Sequence, residues 1–261
     1  MSVGDMRDPF DLHGATALVT GASSGLGEHF ARTLAAAGAA VAVAARREDR
    51  LGALVRDIAS AGGRAVAVPM DVTDGASVTA GFEAAAAALG GPIVVTVNNA
   101  GVSLPKPSLD LGEADWDQVV DTNLRGAWLV AQAAARRLVA AKRAGRIVNI
   151  ASIVGLRPIG QLAPYAAAKA GLVHLTRTLA MEWARHGIQV NAIAPGYVET
   201  DLNREFWTTP AGRRLVERIP QRRLGRPQDL DGALLLLASD AGAFMTGSVI
   251  VVDGGHAVAS L

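Results

Sequence analysis

Thr20-Gly21-Ala22-Ser23-Ser24-Gly25-Leu26-Gly27 is the stretch that decides the fold. An apolar run at 15–20 leads into it, and a helical pattern at 26–37 leaves it. Three glycines in GxxxGxG spacing let the backbone turn sharply and let a ligand come close to it. The helix that follows offers unpaired N–H groups and a partial positive charge, which suits a phosphate. An ordinary Gly/Ser turn reads much the same, so the rest of the chain must settle the matter. The spacing also differs from the commoner GxGxxG.

Six further apolar runs follow, at 40–45, 65–70, 93–98, 146–151, 189–193 and 248–252. They are continuously apolar rather than alternating, as in strands covered on both faces. Helical patterns at 26–37, 47–61, 77–89, 113–142 and 165–186 separate the first six. This βαβα rhythm predicts an α/β fold, a doubly wound parallel sheet of seven strands with helices on both faces. The last strand is reached differently. The connection is long and carries Pro210, Pro220 and Pro227, which predicts a mobile lobe of short helices at about 199–225 and a helix at 227–239. No linker or repeat divides the 261 residues, so one domain over 1–261 is expected.

Composition narrows the function. Hydrophobic residues make up 50% and charged residues 19%, enough apolar content for a large core. The balance of 25 basic to 24 acidic residues gives no nucleic-acid footprint. Zero cysteines remove thiolate nucleophiles, disulfides and Cys-ligated zinc. Five scattered His form no HxH or HExxH pair, so no metal is expected. No apolar run reaches membrane-spanning length, and the first eight residues have acids and no apolar core of a signal peptide. A cytoplasmic protein with a frayed arm up to about Phe10 is the expectation.

Further motifs sit at strand ends. The second strand closes on Ala44-Ala45-Arg46-Arg47, with no acid to hold a ribose 2′-hydroxyl. Guanidinium groups pair instead with a 2′-phosphate, which favours NADP(H) over NAD(H). Arg46 and Arg47 also read as the start of a solvated helix. Asp71-Val72 ends the third strand, where Asp71 is either an acceptor for an adenine amine or a helix cap through Thr73 and Asp74. Asn98-Asn99-Ala100-Gly101 ends the fourth, where a buried Asn can bond across the sheet and small residues leave room for a flat ring. Ser152 ends the fifth. Tyr165 and Lys169 follow at i, i+4 spacing on one helix face, behind Pro164. A nearby ammonium favours phenolate and would bring Tyr165 toward working pH as an acid or base. Ser152 could donate to a developing alkoxide.

Together these residues resemble the short-chain dehydrogenase/reductase family. The matching set is Thr20–Gly27, Asn98–Gly101, Asn123 within Asp121-Thr122-Asn123, Ser152, Tyr165 with Lys169, Pro195-Gly196 with Thr200, and Val252-Asp253-Gly254-Gly255. The resemblance runs in order from about Phe10 to His256. It implies a Rossmann-type sheet and hydride transfer between a nicotinamide and a carbonyl or alcohol carbon. Tyr165 would be the acid/base, Ser152 the donor to the substrate oxygen, and Lys169 the holder of the nicotinamide ribose. Asn123 would hold a water in a proton relay through Lys169. The cofactor would contact Gly21, Ser23, Ser24, Gly25, Leu26, Gly27, Arg46, Arg47, Asp71, Val72, Asn99, Ala100, Gly101, Tyr165, Lys169, Pro195, Gly196, Val198 and Thr200. A homotetramer is implied, packed through the helices at 113–142 and 165–186. Two positions depart from the family pattern. Ser24 stands where many NADP-using members carry a base, and Leu26 stands where Ile is more usual.

The substrate wall is expected from 102–104, 153–156, Gln161 and 197–207, with Phe206 and Trp207 as covers. Glu199, Asp201 and Arg204 read as solvated, and no cationic pocket for a carboxylate or phosphate is evident. A ketone on a partly apolar substrate is therefore expected, with a 3-oxoacyl thioester as the closest type. The alternatives are a sugar or gluconate-type dehydrogenase and, in another class, a non-catalytic protein that senses NADP.

Overall fold

Val41 and Val43 pack toward one layer of helices while Ala42 and Ala44, their neighbours in the strand, pack toward the other. A strand buried on both faces has no polar side, which is why the runs are continuously apolar. The computed structural model describes residues 8–200 and 204–259; the start of the expected N-terminal arm, Asp201, and Ser260 with Leu261 lie outside the described residues.

Seven strands form one sheet: β1 (Thr16–Thr20), β2 (Ala40–Ala45), β3 (Arg64–Pro69), β4 (Val95–Asn98), β5 (Gly145–Ile150), β6 (Ile188–Pro195) and β7 (Val249–Val252). Their order is β3-β2-β1-β4-β5-β6-β7, and every pairing is parallel. From β1 the chain winds outward to β2 and β3, then returns to place β4 on the other side of β1. The connections diverge there and leave a crevice beyond the carboxyl ends of β1 and β4, the usual place for a ligand in such sheets.

The helices are α1 (Gly25–Ala36), α2 (Glu48–Ser60), α3 (Gly75–Leu89), α4 (Glu113–Val120), α5 (Gly126–Ala140), α6 (Ala163–Trp183), α7 (Arg204–Thr208), α8 (Pro210–Val216) and α9 (Asp231–Ala238). Phe30 and Leu34 of α1, Leu51 and Ile58 of α2, and Leu234 of α9 cover one face of the sheet. Phe82 of α3, Val130 and Leu138 of α5, and Leu179 of α6 cover the other. Each fully buried Leu or Phe contributes roughly 1.5–3 kcal/mol of transfer free energy. No helix among the described residues is long and apolar enough to cross a membrane.

Two expectations are corrected. The helical pattern at 113–142 is not one helix, because a π turn at Asp121–Arg125 separates α4 from α5. A π turn is a single-turn feature closed by i→i+5 bonds, and no residue pattern noted in the sequence marks it. The pattern at 227–239 is likewise divided into a 3-10 turn, Pro227–Leu230, and α9. In the expected lobe at 199–225, α7 and α8 are the described helices, and one isolated parallel bridge joins Val198 to Gly225.

Candidate active site

The site is assembled at the crevice from the carboxyl ends of β1, β2, β4 and β5. Asn99 ties the glycine turn to β4: its side chain donates to the Thr20 carbonyl at 3.0 Å. In return the Thr20 hydroxyl accepts from the amides of Asn99 and Ala100, each at 3.0 Å. The fit is tight. A Cβ on Gly21 would stand 2.9 Å from Ala100 Cα, and one on Gly27 would strike the Gly21 carbonyl and sit 2.5 Å from Asn99 Nδ2. Gly25, at φ +58°, instead faces open space, with the Thr200 methyl 3.8 Å from where its Cβ would be. The turn is therefore dense beneath and open above, a shape that admits a phosphate against backbone amides.

The start of α1 has the same character. Ser24 is its N-cap residue, yet its side chain makes no cap hydrogen bond. The reason is Arg47, which donates to Ser24 Oγ at 2.8 Å and to Ser23 Oγ at 2.8 Å. The first-turn amides of α1 thus lack a side-chain cap, whereas α3 is capped by Asp74 and α8 by Thr209. Arg46, its side chain 73% exposed, stands 4.0 Å from Asp71 Oδ2. Ser23, Ser24, Arg46 and Arg47 so form one cationic, hydroxyl-rich corner beside the glycine turn.

Asp71 does not cap α3; Asp74 does, accepting from the Ala76 amide at 2.9 Å. Asp71 Oδ1 accepts from the amide and hydroxyl of Thr73 at 2.9 and 2.8 Å. These bonds, the backbone one first, hold the Asp71 carboxyl below its usual range. Val72 is buried against the start of α5, where a Cβ on Gly126 would lie 3.0 Å from it.

A buried polar chain braces β4 and β5 beneath the site. Asn98 donates to Asn149 at 3.1 Å, Asn149 donates to Thr176 at 2.9 Å, and Thr176 donates to the Leu172 carbonyl at 2.8 Å. Pro195-Gly196 packs on the turn after β7, since a Cβ on Gly196 would sit 2.6 Å from Asp253 Cβ. Val198 is buried just beyond.

At the end of β5, Ser152 Oγ accepts from the Val154 amide at 3.2 Å. Its proton is free to point elsewhere, and Ser152 is near enough to the Tyr165 side chain to favour its ionised form. The 3-10 turn Ile153–Gly155 is pressed onto α6, because a Cβ on Gly155 would meet the Lys169 carbonyl carbon at 2.7 Å. That contact fixes Ser152 against the Tyr165–Lys169 face. Lys169 is 4% exposed, donates to the Ile150 carbonyl at 2.7 Å, and holds its ammonium 5.6 Å from the Tyr165 ring centre.

The electrostatics differ from the sequence expectation. Burial raises the Tyr165 phenol above its ordinary value, with Ser152 pulling the other way. Burial likewise pushes Lys169 down to about 8. A low-dielectric site penalises both charges, so the ammonium does not draw Tyr165 toward phenolate here. Asn123 is held from the loop after β4. It is 1% exposed in the π turn, and both ends of its amide are occupied by the Val102 backbone, each at 2.8 Å. Its side chain is a clamp on the loop after β4, with one N–H of the amide left over.

Around the substrate side, Tyr197 stacks edge-on with Trp207 and His256, each with ring centres 5.3 Å apart, and Phe206 lies 4.9 Å from Trp207. Glu199 pairs with Arg204 at 3.3 Å, both well exposed. A cavity of about 880 Å³ opens between the Ile153–Val154 turn, Tyr197, α8 and the C-terminal segment. Arg157, Arg218 and Arg222 line it. The expectation of no cationic pocket is therefore corrected. Arg157 lies on a different segment from Arg218 and Arg222, and no local pattern in the sequence brings it to them. Among the described residues no group of three or more His, Asp or Glu could hold a metal ion.

Residues 21–257 match the family described as enoyl-(acyl carrier protein) reductase. The chain is 43% identical to 3beta-hydroxysteroid dehydrogenase 1 of Eggerthella lenta, over 94% of either chain. It is 38% identical to the 3-oxoacyl-(acyl-carrier-protein) reductase of Escherichia coli, covering 94% of this chain and 98% of that one. The structure of a gluconate 5-dehydrogenase from Burkholderia cenocepacia, in complex with NADP and tartrate, superposes with a TM-score of 0.92 at 39% identity, over 97% of this chain and 99% of that one. With the seven-stranded parallel sheet and the glycine turn at its crevice, these similarities make the chain a member of the short-chain dehydrogenase/reductase family of NAD(P)-dependent oxidoreductases.

Proposed function

We propose that the chain interconverts a ketone and a secondary alcohol with NADP(H), through Tyr165, Ser152 and Lys169. The observation that carries this reading is the meeting of the Tyr165 and Ser152 hydroxyls over a buried Lys169, at the mouth of the glycine-turn crevice. When bound, the reduced nicotinamide supplies a hydride to the carbonyl carbon. Tyr165 gives its proton to the carbonyl oxygen as that oxygen gains charge, and Ser152 donates a hydrogen bond to the same atom. A phenol held protonated by burial is ready for the reductive direction. Lys169 retains donors beyond its bond to Ile150, and these suit a ribose hydroxyl. The Asn123 amide, bonded to the Val102 backbone at both ends, keeps one N–H that suits a relay water.

For the cofactor, Arg47 on Ser23 and Ser24, with Arg46 alongside, supports NADP(H) over NAD(H). Asp71 Oδ2, near Arg46, suits the adenine amine. For the substrate, the 3-oxoacyl reading rests on the apolar wall and on the 3-oxoacyl reductase relative. A second reading, a hydroxy-acid or gluconate-type dehydrogenase, is favoured by the arginines of the cavity and by the gluconate 5-dehydrogenase neighbour. A homotetramer packed through α4–α6 accords with the exposure of Trp116, Trp128 and Met181.

The test is thermal unfolding with NADPH, NADH or neither, followed by loss of absorbance at 340 nm with a ketone panel. NADPH alone should raise the midpoint clearly. An equal shift with NADH would refute the role of the two arginines. Turnover that survives Tyr165→Phe would refute the mechanism, and a wild type that binds NADPH but reduces no ketone would favour a sensor.

A further inference from the structure

The cavity beside Ser152 has an excess of positive charge that the redox chemistry does not use. Three arginines line it against one acid, Glu217. Arg222 is engaged, donating to the Glu217 carbonyl. Arg157 donates through Nη1 to the carbonyls of His256 at 2.8 Å and Ala259 at 3.2 Å, which anchors it. Its other guanidinium nitrogens have no hydrogen-bond partner among the described residues, and no ion pair joins Arg157 or Arg218 to a carboxylate there. Both act electrostatically on Tyr197 and on His256. The buried His256 Nδ1 also lacks a partner. Arg218 is exposed, whereas Arg157 and His256 are partly buried, where polar groups without partners are costly unless a ligand completes them.

We propose that this cavity is the subsite for a carboxylate on the substrate, held between Arg157 and Arg218 with His256 beside it. Ile153 and Val154 connect the two functions: they follow Ser152 in the chain and line the cavity. The substrate class is thus an oxo acid or hydroxy acid whose reacting carbon lies at Ser152 and Tyr165 while its carboxylate enters the arginine pocket. The assignment rests on the proposed redox roles of those two residues for its orientation, but not for the anion site itself.

The experiment compares 4-oxocyclohexanecarboxylate with its methyl ester, two ketones that differ in the anionic group. kcat/KM with NADPH is measured for wild type, Arg157→Gln and Arg218→Gln. The wild type should favour the acid by about 10- to 100-fold, the range for a hydrogen bond to a charged group. Both variants should remove that preference by lowering the value for the acid and leaving the ester unchanged. Arg157 also holds the C-terminal segment; if its variant misfolds, Arg218, which has no such bonds, carries the test. Calorimetric binding of both ketones to the NADPH-loaded Tyr165→Phe protein separates the two readings. Acid preference in binding with turnover abolished supports both. Acid preference with turnover retained refutes the redox roles and keeps the anion site. Wild-type preference for neither ketone, or a preference that survives both arginine variants, overturns the anion site and leaves the redox roles standing.

Discussion

Replacing Lys169 by Met should raise the stability of the cofactor-free protein at neutral pH and remove that advantage at high pH. Lys169 is 4% exposed, and burial pushes its ammonium down to about 8 from 10.5. The difference of about 2.5 units corresponds to about 3 kcal/mol at 1.36 kcal/mol per unit. The sign follows from proton counts. Between pH 8 and 10.5 the unfolded chain binds more protons at this site than the folded one, so wild-type stability rises with pH across that window. Below pH 8 the ammonium is present in both states and its burial cost is felt in full. Met fills a similar apolar volume and carries no charge. Its loss of the Ile150 hydrogen bond is a penalty that does not depend on pH. Urea unfolding of wild type and variant at pH 7 and pH 9.5 isolates the effect, because the difference between the proteins cancels every other titrating group. That difference should move by about 2 kcal/mol in favour of the wild type between the two pH values. A difference that stays flat to within about 0.5 kcal/mol would refute the claim that Lys169 enters the fold at a desolvation cost.

Gly27→Ala should weaken NADPH binding, since its Cβ strikes the Gly21 carbonyl and crowds Asn99 Nδ2. An overpacking cost of about 1–3 kcal/mol corresponds to about 5- to 150-fold in Kd, read by fluorescence titration. Arg47→Gln frees both serine hydroxyls and should weaken NADPH far more than NADH; equal weakening of the two would remove Arg47 from the 2′-phosphate site. Asn149→Ala cuts the buried chain from Asn98 to Thr176 and should lower unfolding stability by about 1–3 kcal/mol, measured by denaturant titration.

The amino-acid sequence by itself determined the architecture. Continuous apolar runs require cover on both faces, and helical periods between them require parallel crossovers; the seven parallel strands follow. Their ends fall within about two residues of the apolar runs, because burial and not hydrogen-bond detail sets them. The glycine turn and the Tyr165–Lys169 pair were also legible, since each depends on short-range backbone geometry: a positive φ and an i, i+4 face. The tertiary structure decided what depends on distant neighbours. Only packing showed that Arg47 occupies the serine hydroxyls, that Asp74 and not Asp71 caps α3, and that Asn123, in a π turn, clamps Val102. Only burial set the direction of the Tyr165 and Lys169 shifts, because desolvation is a property of everything around a group. Arg157, Arg218 and His256 lie up to a hundred residues apart, and no periodicity links them. A charged pocket built from separate segments exists only once the chain has folded around it.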